Sequence, residues 1–547
     1  MKYIFISGGV ISGIGKGIAS ASIGLLLKSA GLKVAPIKFD PYLNVDAGTM
    51  NPVVHGEVFV LDDGVETDQD LGHYERFLNL SLNKHSIATQ GSIYLSVIQR
   101  ERQMGYGGEC VDLVNGVTGE ILQRIEQAGK AYDADVTIIE IGGTAGEYQN
   151  MLFLEANRLL KLRNPNDVIH VHITYLPIPP SIGEMKSKPA QMSVRDLHSC
   201  GIQPDVILAR AEKPIDESRR KKLSEATGVE WEDVISAPDV KNVYEIPLNF
   251  DQGGLTKRIL HKLGFNGSRA ADLTEWATFI DKQKKSDKKI RVAIVGKYFA
   301  TGDYLLTDSY VSVIEALKHA GVHLDTKVEI SWIDAAEVTK NLTVLENHQG
   351  IIVPGGFGAR DVEGKLLAIK YARENDIPYL GLCYGMQLAV IERARNVLGL
   401  SDADSTEIDS ATRNPVIHIM PDQEKKMMER DYGASMRLGA WDCVLTEGSH
   451  AETLYREFGQ RKRLSPNLQI SERHRHRYEF NNDYRDQINT SGLKIVGTSP
   501  DGKLVEVVED AKNKFFIGTQ FHPELTSRPL SPHPLFMGFV RAAGAIQ

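Results

Sequence analysis

The strongest constraint on the fold is a rhythm. Short apolar runs, each about one strand long, alternate with longer stretches of helical spacing. In the first half they are Tyr3–Ser7, Lys33–Phe39, Val136–Ile141, Val168–Thr174 and Asp205–Ala211. In the second half they are Arg291–Gly296, Lys327–Ile333, Gly350–Pro354, Pro378–Leu382 and Phe515–Gln520. Continuous apolar runs suit strands covered on both faces, as in parallel sheets. Strand alternating with helix predicts βαβ units wound into an α/β, doubly wound fold. At 547 residues the chain exceeds a single core. The charged, apolar-free run Asp281–Lys289 reads as a solvated boundary between two halves. The expected division is 1–268, a linker at 269–289, and 290–547.

Composition excludes several classes. Net charge of −8 argues against a general nucleic-acid or membrane surface, though not against a local basic pocket. The lysines of 281–289 lack the interleaved aromatics of a nucleic-acid site. Cys110, Cys200, Cys383 and Cys443 are widely spaced, with no CxxC pair. That fits a reducing cytoplasm better than a disulfide framework or a zinc site. The apolar start of the chain is too short for a signal peptide or a membrane span, and reads as a first strand.

Cys383 stands in Leu-Gly-Leu-Cys-Tyr-Gly-Met-Gln, directly after an apolar run and before a helical stretch. Gly381 and Gly385 flank it, as in a strand-to-helix turn that presents a strained nucleophile. The start of a helix favours the thiolate. His522 in Gln520-Phe521-His522-Pro523-Glu524 is a candidate base, and Glu524 can orient its imidazole. Together they predict amide hydrolysis through a thioester. Alone, Cys383 would read as a buried core thiol.

The first run leads into Gly8-Gly9-Val10-Ile11-Ser12-Gly13-Ile14-Gly15-Lys16-Gly17-Ile18. Small residues let backbone N–H groups approach phosphate, the next helix adds its positive end, and Lys16 adds a charge. It is not a standard Walker A: Val10 takes the first glycine position, and Gly17 follows the lysine where a Mg²⁺-binding hydroxyl belongs. Ser20 is an alternative hydroxyl; otherwise the metal should lean on carboxylates from elsewhere. Glu140, ending an apolar run, and Asp70 are the candidates; Asp70 alone reads equally as a turn acid. Gly183-Glu184-Met185-Lys186-Ser187-Lys188-Pro189-Ala190-Gln191 forms a second possible anion site, or a surface loop. Two anion sites suggest a donor and an acceptor nucleotide.

These segments, taken in order, resemble the CTP synthase family along nearly the whole chain. The phosphate loop, Lys38–Asp46, His55–Val60, Asp70–Phe77 and Lys186–Gln191 carry the resemblance in the first half. In the second half Val353–Gly358, the Cys383 elbow, Ser405–Glu407, Met436–Gly439, Glu472–Glu479 and Gln520–Glu524 carry it. The resemblance implies an amidoligase domain followed by a class I glutamine amidotransferase domain, making CTP from UTP, ATP and glutamine. It implies ATP at Gly13, Ile14, Gly15, Lys16, Gly17, Ile18, Lys38, Asp70, Asp239 and Val240, with Mg²⁺ on Asp70 and Glu140. UTP, or CTP as feedback inhibitor, would meet Ser12, Glu147, Gln149, Lys186, Ser187, Lys188, Pro189, Ala190, Gln191 and Lys222. Glutamine would meet Gly356, Tyr384, Gly385, Met386, Gln387, Glu407 and Arg477, with backbone N–H groups of Gly356 and Tyr384 as oxyanion hole. Internal ammonia transfer, GTP activation and a homotetramer are further implications. The chain departs from the family at Gln149, where an acid is usual, at Tyr384, where leucine is common, and at Met420–Gly433, where the GTP-responsive lid is expected.

Two rivals remain open on the residues. One is another ATP-dependent amidotransferase, whose ligase half would lack His55–Val60 and Lys186–Gln191. The other is a nucleotide switch carrying an inactive amidotransferase domain, against which the intact Cys383, His522 and Glu524 argue.

Overall fold

The computed structural model describes residues 1–51, 56–265, 270–297, 300–301, 304–305, 307–420, 436–459 and 464–546. The chain forms two compact units. One comprises Met1–Ala47 with His73–Ile280, the other Gly48–Gly72 with Asp281–Gln547.

The first unit is built on a seven-stranded sheet. Its order is Ile87–Thr89, Val34–Asp40, Val136–Ile141, Lys2–Gly8, Val168–Tyr175, Val206–Ala211, Val234–Pro238, and every pairing is parallel. Apolar side chains alternate between two cores. Ile4, Ile6 and Ile138 pack with helix Lys16–Ser29, while Phe5, Ile37, Ile139 and Ile141 fill the opposite face. This explains the continuous apolar runs: both faces are covered. The first strand lies between neighbours that come later in the chain on either side. Its carboxyl end is therefore a topological switch point, where doubly wound sheets bind ligands.

The second unit has a nine-stranded sheet. Thr326–Asp334, Lys288–Gly296, Gly350–Val353, Tyr379–Leu382 and Phe516–Thr519 run parallel in that order. Val505–Asp510, Leu493–Thr498, Arg437–Leu445 and Gln469–His476 extend it antiparallel. All the apolar runs expected as strands are strands.

The units do not follow a single cut of the chain. Within the expected linker 269–289, helix Thr274–Lys285 buries Trp276, Phe279 and Ile280. Trp276 donates its indole N–H to the Tyr244 carbonyl at 2.8 Å and packs at a tilt against Phe77, ring centres 5.3 Å apart. Only its last turn carries the solvated lysines. Residues 48–72, expected in the first domain, pack with the second unit. There Phe59–Val60 and Glu66–Thr67 form a small hairpin. Fully buried Arg473 pairs with Asp62 at 2.5 Å, and Arg475 pairs with Glu66 at 2.8 Å. The Arg473 and Glu66 side chains are buried while the Asp62 carboxylate is exposed, so each pair offsets one buried charge and ties this segment to strand Gln469–His476. His55 of the quoted motif, and all of the expected lid except Met420, lie outside the described residues. Among the described residues no helix is long and apolar enough to cross a membrane.

Candidate active sites

The second unit brings Cys383, His522 and Glu524 together through its sheet. Strands Tyr379–Leu382 and Phe516–Thr519 are parallel neighbours, with Leu382 opposite Thr519. One residue on, the Cys383 N–H donates to the Thr519 carbonyl at 2.6 Å. His522 and Glu524 therefore leave the sheet beside the elbow. Cys383 has φ 49° and ψ −98°, a left-handed strained position for a side chain with a Cβ. The flanking glycines serve another purpose than the turn expected of them: neither has positive φ. A Cβ on Gly385 would stand 2.1 Å from the Val353 carbonyl oxygen, and one on Gly381 2.6 Å from the Tyr379 hydroxyl. They permit close backbone packing, and Cys383 itself takes the strain. Gly385→Ala is accordingly expected to destabilise the second unit by about 3 kcal/mol or more, read as a lowered denaturation midpoint.

His522 Nδ1 meets Glu524 Oε1 at 2.7 Å, which fixes the ring and leaves Nε2 for the sulfur. Both His522 and Cys383 pack on Gly355, where an added methyl would lie 2.9 Å from His522 Cε1 and 3.9 Å from Cys383 Cβ. Burial pulls the imidazole down, but the Glu524 carboxylate and the Cys383 sulfur outweigh it and raise His522 to about 10. An imidazolium beside a thiolate is the working form of a cysteine–histidine pair. Because the folded value is raised, its stabilisation is fully present below the unfolded value near 6.5 and is lost as pH rises through about 10. Glu524→Gln removes the larger raising influence. The basic limb of kcat/KM for glutamine should then move to lower pH, as read from the pH profile.

A cavity of about 260 Å³ opens over the sulfur. Of the candidate catalytic and glutamine residues, Gly356, Cys383, Arg477, His522 and Glu524 line it, together with Arg475, Tyr310, Gly48, Met50, Glu57 and Val58. Glu57 is anchored by the Ser312 hydroxyl at 2.5 Å. Tyr384, Gly385, Met386, Gln387 and Glu407 support the wall without lining it. Gln387 donates to the Tyr478 carbonyl at 2.9 Å, and Met386 packs against Gly518. Glu407 accepts the Gly358 N–H at 2.7 Å. Burial raises its carboxyl, opposed by that hydrogen bond and by the charge of Lys297.

In the first unit, a cavity of about 120 Å³ is lined by Ile14, Gly15, Ile18, Asp239 and Val240 of the expected ATP residues. Leu208, Pro238, Val243, Ile246 and Phe250 make it an apolar slot suited to a planar base. Arg210, unforeseen, crosses its edge, pairing with Asp239 at 2.8 Å and donating to the Ile14 carbonyl at 2.6 Å. Gly13 and Gly15 have φ 68° and 90°, so the loop is a left-handed turn into helix Lys16–Ser29. Val10, at the glycine position of a standard loop, holds φ 83° and keeps that geometry under strain. Gly17 is buried within the helix. Lys16 donates to the Gly143 carbonyl at 2.8 Å.

Lys38 and Glu140 are register partners on adjacent strands. Lys38 pairs with Asp40 at 3.1 Å, and the Tyr74 hydroxyl donates to Glu140. Glu140 is thus a buried, oriented carboxylate at a strand's carboxyl end, the oxygen donor a hard cation needs. Asp70 lies in the first turn of helix Gln69–Leu78. Among the described residues no cluster of three or more His, Cys, Asp or Glu side chains forms a ready metal cage.

Ser12, Glu147, Gln149, Lys188 and Lys222 are exposed. Ser187 stands at the first position before helix Lys188–Ser199 without capping it through its side chain; Pro189 is in the first turn, Ala190 is buried and Gln191 donates to the Ser187 hydroxyl at 3.2 Å. Lys186 pairs with Glu184 at 2.7 Å, and Lys186, Arg219 and Lys222 together hold the Glu184 carboxyl below its usual range. Lys186 of the loop and Arg219 and Lys222 of helix Glu217–Thr227 are thus gathered around Glu184.

Residues 2–265 match the family model described as CTP synthase N-terminus, and residues 305–542 the class-I glutamine amidotransferase model. The chain is 48% identical over 545 residues to a CTP synthase of Halalkalibacterium halodurans, covering 99% of each chain. It is 49% identical over 546 residues to a CTP synthase of Thermococcus gammatolerans, covering 99% of this chain and 98% of that one. A CTP synthase of Bacillus subtilis is 46% identical over 545 residues, with 99% and 98% covered.

Proposed function

Because the chain belongs to the CTP synthase family, we propose that it aminates UTP to CTP with ATP, using ammonia that its own second unit releases from L-glutamine. The observation that carries this is the Cys383–His522–Glu524 arrangement on a strained elbow, in a chain whose other unit holds a phosphate loop at a switch point. Cys383 attacks the glutamine amide carbon, and His522 gives its proton to the departing ammonia. Backbone N–H groups of Gly356 and Tyr384 receive the oxyanion, and Arg477 matches the substrate carboxylate. Residues 48–72 supply part of this cavity wall and continue directly into the first unit. In this reading ammonia is handed over internally, because free in water it would protonate and lose its lone pair.

In residues 1–268 ATP would lie along the slot at Asp239 and Val240, with its phosphates at Gly13–Ile18 and Lys38. UTP would meet Ser12, Lys186–Gln191 and Lys222. Phosphate transfer to the uracil O4 makes a leaving group that ammonia displaces at C4. Lys16 and Lys38 offset the charge on the phosphoryl oxygens. Asp70 and Glu140 would hold Mg²⁺, which supplies further charge neutralisation when bound. GTP as activator, CTP as inhibitor near Glu147 and Gln149, and a homotetramer complete the reading.

The test is CTP formation from UTP, ATP and Mg²⁺, with glutamine or ammonium chloride, with and without GTP. CTP from both nitrogen sources is expected, with the glutamine reaction faster in GTP. Glutamine hydrolysis without CTP from either source would move the acceptor away from UTP.

A further inference from the structure

Two ammonium groups stand behind the oxyanion loop, and the steps above leave them without a task. Lys365 projects from helix Val362–Glu374 and is 1% exposed, and Lys297 is 6% exposed. A methyl added at Gly356 would lie 3.9 Å from Lys365 Nζ and 4.0 Å from Lys297 Cε. Lys365 Nζ also sits 5.1 Å from the centre of the Tyr384 ring. One buried lysine thus lies beside Gly356 and under the ring of Tyr384, the two residues whose backbone N–H groups are the expected oxyanion donors.

The rest of the loop is already clamped. Lys297 donates to the Phe357 carbonyl, the Gly358 N–H donates to Glu407 at 2.7 Å, and the Tyr384 hydroxyl donates to the Gly358 carbonyl at 2.8 Å. Lys365 is absent from this clamp. An unclamped lysine in a core is a cost to folding that an apolar side chain of equal length would avoid. Burial first, then the charges of Lys297 and Arg360, push Lys365 down to about 7, while Asp361 and Asp334 act in the opposite direction. Below that pH Lys365 is an ammonium, and a charge in a dry site is most effective where charge develops during a reaction.

We propose that Lys365 is an electrostatic positioning residue of the glutaminase step, its ammonium lying behind Gly356 and Tyr384 to stabilise the oxyanion formed when Cys383 attacks. In that step the sulfur–carbon bond forms and the carbonyl π pair moves to oxygen. Collapse restores the carbonyl and expels ammonia with the proton from His522. The proposal rests on the glutaminase reading of Cys383.

The experiment uses the full-length protein. Lys365→Met should lower kcat for glutamine hydrolysis about tenfold, with KM within about twofold. Alkylation of Cys383 by iodoacetamide should proceed at the wild-type rate, because that displacement forms no oxyanion. The thermal midpoint should hold or rise, because a buried charge has gone. Lys365→Gln should show the same kcat loss, which keeps the test open should the methionine variant fail to fold. Wild-type kcat in the folded variants, or an alkylation rate that falls in step with kcat, overturns the proposal. A wild-type protein that leaves glutamine intact fails the glutaminase reading itself, before Lys365 is tested.

Discussion

Cys383→Ala is expected to abolish CTP formation from glutamine, by about a thousandfold or more, while formation from ammonium chloride stays within about twofold of wild type. The size follows from chemistry: without the sulfur there is no thioester, and neither His522 nor the oxyanion donors can replace a nucleophile. The separation follows from the fold. Cys383 lies on the second unit's sheet, and the phosphate loop lies on the first unit's sheet. Alanine also relieves little of the φ 49° strain, since it keeps a Cβ, so the elbow should persist. Loss of the ammonia reaction as well, in a folded variant, would contradict the two-site account.

Lys16→Ala is expected to lower synthesis from both nitrogen sources by about a hundredfold or more, with basal glutamine hydrolysis intact. Lys16 opens the helix at the switch point, directly after Gly15 in its left-handed turn. Its ammonium is the one charge the loop itself carries, and phosphoryl transfer depends on offsetting charge. Activity with ammonium chloride near wild type would remove ATP from this loop. Parallel loss of glutaminase would point to a folding defect.

Much of this architecture is legible in the amino-acid order because parallel strands covered on both faces are largely apolar, as Gly350–Val353 is throughout and Val136–Ile141 is except at Thr137 and Glu140. The elbow is legible for a related reason. A strained cysteine needs close-packed glycines at Gly381 and Gly385, and its histidine follows the adjacent strand. The antiparallel extension was hidden by its polarity. Gln469–His476 is rich in polar and charged residues, yet Arg473 and His474 are fully buried. Arg473 is satisfied by Asp62, 411 residues away in sequence, a pairing no local pattern announces. The same bond explains why residues 48–72 belong with the second unit, and why Gly48 and Glu57 line a cavity built mainly from residues hundreds of positions later. Lys297 and Lys365 escaped notice because a buried lysine and a surface lysine look alike until packing separates them. Arg210 was missed because it reaches the phosphate loop only through the parallel neighbours that bring Val206–Ala211 beside Val168–Tyr175.

The most direct measurement supplies L-glutamine carrying nitrogen-15 in its amide, with UTP, ATP and Mg²⁺, and follows the label by mass spectrometry. The account predicts CTP with nitrogen-15 on its exocyclic amine, formed by wild type and not by Cys383→Ala. Labelled ammonia accumulating while UTP stays unchanged would contradict it.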